Sequence, residues 1–137
     1  MTAAEIIIKR LNPKAVVGRD PSLPGLIIGI EDVIVDNRIF RLEYRSTEDG
    51  KHANAYILYN PFGHETLDPR ITHLESDGQL CLDSNSTKNT YRSPYSLERT
   101  IKRARYWCYL YTYLKESIQK HGVEEALKRV RQIEPGW

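Results

Sequence analysis

Two cysteines and four histidines among the 137 residues define the nucleophilic and acid–base chemistry open to this chain. Cys81 and Cys108 are too few for a disulfide framework and lack the CxxC or Cys/His spacing of a zinc site, so a cysteine that matters here acts as a thiol. Cys81 sits in His73-Leu74-Glu75-Ser76-Asp77-Gly78-Gln79-Leu80-Cys81-Leu82-Asp83. Asp77-Gly78 is a turn dipeptide, and Leu80 and Leu82 flank the cysteine with period two. Alternate side chains of an extended segment face opposite ways, so leucines that point inward turn Cys81 outward at the mouth of a polar loop. An outward thiol is a candidate nucleophile, and a histidine at hydrogen-bond distance (His52, His64 or His73) would complete a cysteine hydrolase. Cys108 follows a different pattern. It lies on the stripe Leu97, Ile101, Ala104, Cys108, Tyr111, Leu114 and Ile118, whose steps of three and four residues predict one face of a helix and a cysteine packed in the core.

The elements that must hold the thiol in place are legible as local signals. Thr2-Ala3-Ala4-Glu5 has the form of a capping box, which predicts a helix over 3–11 ended by Asn12-Pro13, with Ile6, Ile7 and Leu11 facing the core. Turn-rich residues 20–25 lead into β-branched and aromatic runs at 26–30, 32–35, 39–45 and 53–59. Asp36-Asn37 and Glu48-Asp49-Gly50 separate the later runs at hairpin distance, and Phe40, Leu42 and Tyr44 alternate with Arg41, Glu43 and Arg45. An antiparallel meander with one wet face follows, in which 26–30 and 32–35 are one bent strand or two. Residues 60–69 and 83–94 read as irregular, and loops of that length in a small domain are usually functional or mobile. Ser93-Pro94 or Ser96 starts the long helix, Gly122 stops it, and Val123, Leu127 and Val130 mark one more helix ending near Pro135. Arg99, Lys102, Arg103 and Arg105 read as the solvated face of the long helix. The order of helix, strands, irregular segment and two helices is that of a single α+β domain over 1–137.

Composition narrows the function classes. An apolar fraction of 40% and a charged fraction of 28% are those of a globular chain, and a net charge of +2 gives no large basic footprint for nucleic acid. No run of 18 apolar residues is present, and residues 1–10 lack the basic start and apolar stretch of a signal peptide, which predicts the cytoplasm as compartment and no membrane partner.

The segment around Cys81 resembles the active site of ubiquitin-conjugating enzymes, where His-Pro-Asn precedes a short turn ending in Gly, then Ile or Leu, the catalytic Cys, Leu and often Asp. His73, Gly78, Leu80, Cys81, Leu82 and Asp83 match. Arg92-Ser93-Pro94 stands where the family has Trp-Ser-Pro before a helix, and Tyr59-Asn60-Pro61-Phe62 stands for its Tyr/Pro-rich segment. The Pro-Asn after the histidine is absent, the stretch from His73 to Cys81 is about two residues shorter than in the family, and the loop after the cysteine is about three residues longer. These departures, with the aromatic run Tyr106-Trp107-Cys108-Tyr109-Leu110-Tyr111, resemble divergent bacterial members, including those of antiphage cyclic-oligonucleotide signalling (CBASS) operons.

The resemblance implies an N-terminal helix, a four-strand meander, an irregular active-site segment and two C-terminal helices. It implies that Cys81 carries an acyl group as a thioester and passes it to a lysine, with no cofactor. The acyl donor would be the C-terminal tail of a CBASS nucleotidyltransferase or a ubiquitin-like protein, with or without an activating enzyme. With the family's asparagine missing, Asn85, Asn89 and Tyr91 are the candidate oxyanion donors, with Ser86 behind them; Asp83 is the candidate to orient the lysine amine, and His73 is auxiliary. The missing Pro-Asn also leaves open an inactive member of the same fold that acts as a binding module.

Overall fold

A computed structural model describes residues 1–82 and 87–137. The capping box forms as the sequence predicts: the Thr2 hydroxyl accepts the Glu5 N–H at 3.2 Å, the Glu5 carboxylate accepts the Thr2 N–H, and α1 runs Ala3–Leu11. Its buried face is Ala4 and Ile8, with Ile7 and Leu11 at the edge, whereas Ile6 is 52% exposed. Ile6 lies about 200° around the helix from both Ala4 and Ile8, so it cannot share their face.

The four strands β1 (Val16–Arg19), β2 (Leu26–Val35), β3 (Arg38–Thr47) and β4 (Ala53–Tyr59) form one antiparallel sheet in chain order. Residues 26–30 and 32–35 are therefore a single strand, with Glu31 in its middle. The first strand of the meander is β1, a short and largely exposed edge paired to β2. Its four residues carry no alternation, which is why the sequence pattern does not announce it. Asp36 and Asn37, both with positive φ, make the tight two-residue turn between β2 and β3.

The inner face of the sheet packs on α3 (Leu97–His121), capped by Ser96 rather than Ser93 and followed after Gly122 by α4 (Val123–Ile133). Leu97, Ile101, Ala104, Cys108, Tyr111 and Leu114 are all buried, and Ile118 packs at the edge of the core. Trp107 stacks on Tyr111 at 4.5 Å and Phe40 meets both edge-on, in the geometry that aromatic quadrupoles favour. Arg105 does not join the solvated face. It reaches Glu31, 5% exposed, with nitrogens at 2.8 and 3.0 Å, while Tyr44 Oη and Asn12 Nδ2 donate to the same carboxylate. Burial opposes the charge of Glu31, but the hydrogen bonds from Arg105, Tyr44 and Asn12 outweigh it and hold the carboxyl below its ordinary value.

The remaining elements are α2 (Pro69–Thr72) and a 3-10 turn, Thr90–Arg92, on either side of the segment that carries Cys81. Among the described residues no helix is long and apolar enough to cross a membrane.

Candidate active site

Residues 73–82 fold into a small hairpin laid along β4. The Glu75 N–H donates to Gln79 O, Leu74 bridges Leu80, and the Cys81 N–H donates to His73 O. The turn at 76–78 closes through the Gly78 N–H to Glu75 O and is held by the Asp77 carboxylate, which accepts the Gln79 N–H at 3.0 Å. Gly78 is required on two counts: its φ is +91°, and a Cβ there would lie 2.9 Å from Ile57 O of β4. The outer strand of the hairpin then docks on β4 through the Ile57 N–H to Gly78 O and the Leu80 N–H to Ala55 O.

This pairing sorts the side chains. Opposite residues of an antiparallel pair share a face, and faces alternate along each strand. Leu74, Leu80 and Leu82 thus fall on the core side, and all three are buried. His73, Glu75, Gln79 and Cys81 fall together on the other side and line a cavity of about 710 Å³.

The opposite wall of that cavity comes from α3 and from the end of the chain. Arg103, Trp107 and Leu110, spaced by four and three residues, present one helix face, and Trp137 closes the end beside His73. Two indole N–H groups cap carbonyls at the end of α2, Trp107 to Thr72 O at 3.1 Å and Trp137 to Ile71 O at 2.7 Å. His73 takes a left-handed conformation just past α2, and its ring Nε2 pairs with Trp137 O at 3.2 Å. Arg103 donates twice to Leu82 O, which clamps the backbone immediately after the cysteine.

Cys81 is half-buried, and its Sγ–H donates to Glu75 Oε1 at 3.1 Å. Burial and then the adjacent Glu75 carboxylate push the thiol up to about 12, with the Lys88 ammonium acting in the opposite sense. At neutral pH the sulfur is a thiol whose proton points at a carboxylate. Among the described residues no lysine or arginine pairs with Glu75. Gln79, 3% exposed, donates its amide N–H to Thr87 O, and among the described residues its Oε1 has no hydrogen-bond donor. No family model, curated protein or solved structure matches the chain.

Cys81 and His73 share the cavity, the latter with its ring nitrogen engaged by Trp137 O. Asn89 caps the 3-10 turn by accepting the Tyr91 N–H, and Tyr91 is an exposed member of that turn; neither lines the cavity. Asp83, Asn85 and Ser86 lie outside the described residues. The histidines that a hydrolase would need are elsewhere or engaged: His52 Nδ1 pairs with Ser93 O at 2.8 Å, His64 is exposed on its loop, and no described histidine ring is hydrogen-bonded to Sγ. Among the described residues no group of three or more His, Cys, Asp or Glu is placed to hold a metal ion. Sequence reasoning missed Glu75 and Gln79. Their signal is present as the polar positions that alternate with Leu74, Leu80 and Leu82 through the Asp77-Gly78 turn.

Proposed function

We propose that the chain is a cysteine acyltransferase of the ubiquitin-conjugating kind, which carries an acyl group as a thioester on Cys81 and passes it to a lysine amine. The observation that supports this reading is the placement of Cys81: a thiol between two core-anchored leucines, turned into an open cavity at the edge of the meander, with the carbonyl of the next residue held by Arg103. The element order, with a helix before the meander and two helices after the cysteine, agrees with a ubiquitin-conjugating-like fold. Asp83 and Asn85 remain the candidates to orient the amine and the oxyanion. In this reading the protein works in the bacterial cytoplasm, and its acyl donor is the C-terminal tail of a CBASS nucleotidyltransferase or a ubiquitin-like protein.

The test is to incubate the protein with such a donor, an activating partner and ATP, and to look for an adduct that reductant removes. Cys81→Ala is expected to abolish the adduct, and Cys81→Ser to trap a reductant-resistant ester, because an alkoxide leaves less readily than a thiolate. An adduct that survives Cys81→Ala contradicts the proposal. The high pKa of the thiol favours one other reading, a binding module without catalysis, which predicts full partner binding and full biological activity in Cys81→Ala.

A further inference from the structure

We infer that Glu75 is the proton shuttle for Cys81: its carboxylate takes the Sγ proton as sulfur attacks the acyl donor and returns a proton to sulfur when the lysine amine displaces it. The inference rests on the acyltransferase reading and adds to it the group that makes the thiol reactive.

Three observations carry it. The Sγ–Oε1 distance of 3.1 Å is that of a direct donor–acceptor contact, so proton transfer needs no intervening group. The Glu75 backbone is fixed at the turn, its N–H to Gln79 O and its O from Gly78 N–H, so the hairpin register brings Glu75 and Cys81 onto the same face. Glu75 also differs from the paired carboxylates of this fold: Glu31 is bound by Arg105 and Glu65 by Lys115, whereas Glu75 has the thiol and, among the described residues, no salt bridge, the nearby Lys88 being paired with Asp77. An acid–base group must keep a free lone pair and access to substrate, which an ion pair would remove.

A fourth observation indicates that the face is incomplete without a ligand. Among the described residues the buried Gln79 Oε1 has no donor, and it lies on the same side of the hairpin as Sγ and Glu75. An unsatisfied buried acceptor is costly, and an N–H of the donor's chain or of the attacking amine would satisfy it.

The proton balance closes over both half-reactions. In the first, Sγ bonds to the acyl carbon of a donor thioester, the carbon–sulfur bond of the donor breaks, the Sγ proton moves to Glu75, and the departing thiolate collects it. In the second, a neutral lysine amine bonds to the acyl carbon, its excess proton passes to Glu75, and the carbon–Sγ bond breaks as Glu75 protonates sulfur. With a thiol near 12, roughly one molecule in 10⁵ is thiolate at pH 7, and a free thiolate of that basicity is a poor leaving group; a positioned carboxyl helps in both directions. Among the described residues, the charged and titratable groups around the thiol and its cavity are Arg70 of α2, His73, Glu75 and Asp77 of the hairpin, Lys88 beyond it, Arg103 and Tyr106 of α3, and Glu134 near the chain end.

The decisive experiment compares two rates in Glu75→Gln and in the wild-type chain, each checked for an unchanged thermal midpoint. One is alkylation of Cys81 by iodoacetamide from pH 7 to 10, and the other is acylation of Cys81 by a short peptide thioester, read by intact mass. Removing the carboxylate charge lowers the thiol pKa, so alkylation at pH 8 is expected to rise several-fold. Removing the base is expected to slow acylation by about a hundredfold, with partial rescue in Glu75→Asp. These opposite signs separate a proton shuttle from a structural residue, which would move both rates the same way or neither. Wild-type acylation in Glu75→Gln overturns the shuttle while leaving the acyltransferase reading intact. No acylation of the wild-type chain, with the thioester or with an activating partner, overturns both.

Discussion

Each cysteine of this protein lies near a glutamate, and the two neighbourhoods differ in almost everything else. Cys108 is fully buried on α3 and feels Glu31, whose oxygens are taken by Arg105, Tyr44 and Asn12. Cys81 is half-buried at a cavity and donates directly to Glu75, which no described cation pairs. Both thiols are pushed up to about 12, for each mainly by burial. A raised thiol beside a carboxylate thus does not by itself mark a site. What separates the two is access, and whether the carboxylate is already neutralised by an ion pair.

The sharpest way to break the comparison is to delete each sulfur. Cys81→Ala is expected to lose all acyl transfer with little change in stability. Cys108→Ala is expected to keep acyl transfer and to lose about 1–2 kcal/mol, the cost of a small cavity among Ile101, Ala104 and Tyr111, measurable by denaturant unfolding. Loss of acyl transfer in a folded Cys108→Ala would merge the two neighbourhoods into one.

Glu31 tests the sealed side. Glu31→Gln leaves Arg105 without its counter-charge and is expected to cost about 2–4 kcal/mol, seen as a fall in Tm. The sign of its pH dependence follows from a carboxyl held below its ordinary 4.5 in the folded state. The charged cluster contributes fully above that ordinary value, and the contribution is lost as pH falls through the lower folded value. Wild-type stability should therefore drop below about pH 4.5, and the Glu31→Gln profile should be flatter there.

Gly78 tests the open side. Gly78→Ala puts a side chain at positive φ and a Cβ 2.9 Å from Ile57 O, so the hairpin must shift off β4. A stability cost of about 1–3 kcal/mol is expected, with a larger proportional loss of acylation, because the register that brings Glu75 to Cys81 is disturbed. Thr2→Ala is the remote control. Losing the capping box is expected to cost about 1 kcal/mol by thermal unfolding and to leave both the alkylation and acylation rates of Cys81 unchanged.

The parts of the fold legible in the sequence are those set by neighbours in the chain. The capping box of α1 needs only Thr2 and Glu5, and the α3 stripe is a matter of helical period, so both are found where the residues predict them. The outward turn of Cys81 follows from Leu80 and Leu82 in the same way. Strand β1 has no pattern of its own and exists by pairing with β2. The contact between Glu75 and Cys81 likewise depends on a hairpin register closed by Gly78 against β4, and the cavity wall needs Trp107 and Trp137 from far along the chain. Arg105 reads as a surface charge because its partner, Glu31, lies 74 residues away.

The most direct test of the account is to expose the native protein to a peptide thioester, digest it, and locate the acyl group by mass spectrometry. A single reductant-labile acyl group on the peptide containing Cys81, none on the peptide containing Cys108, and none after Cys81→Ala is the predicted result. Equal labelling of the two cysteines, or undiminished labelling after Cys81→Ala, would contradict it.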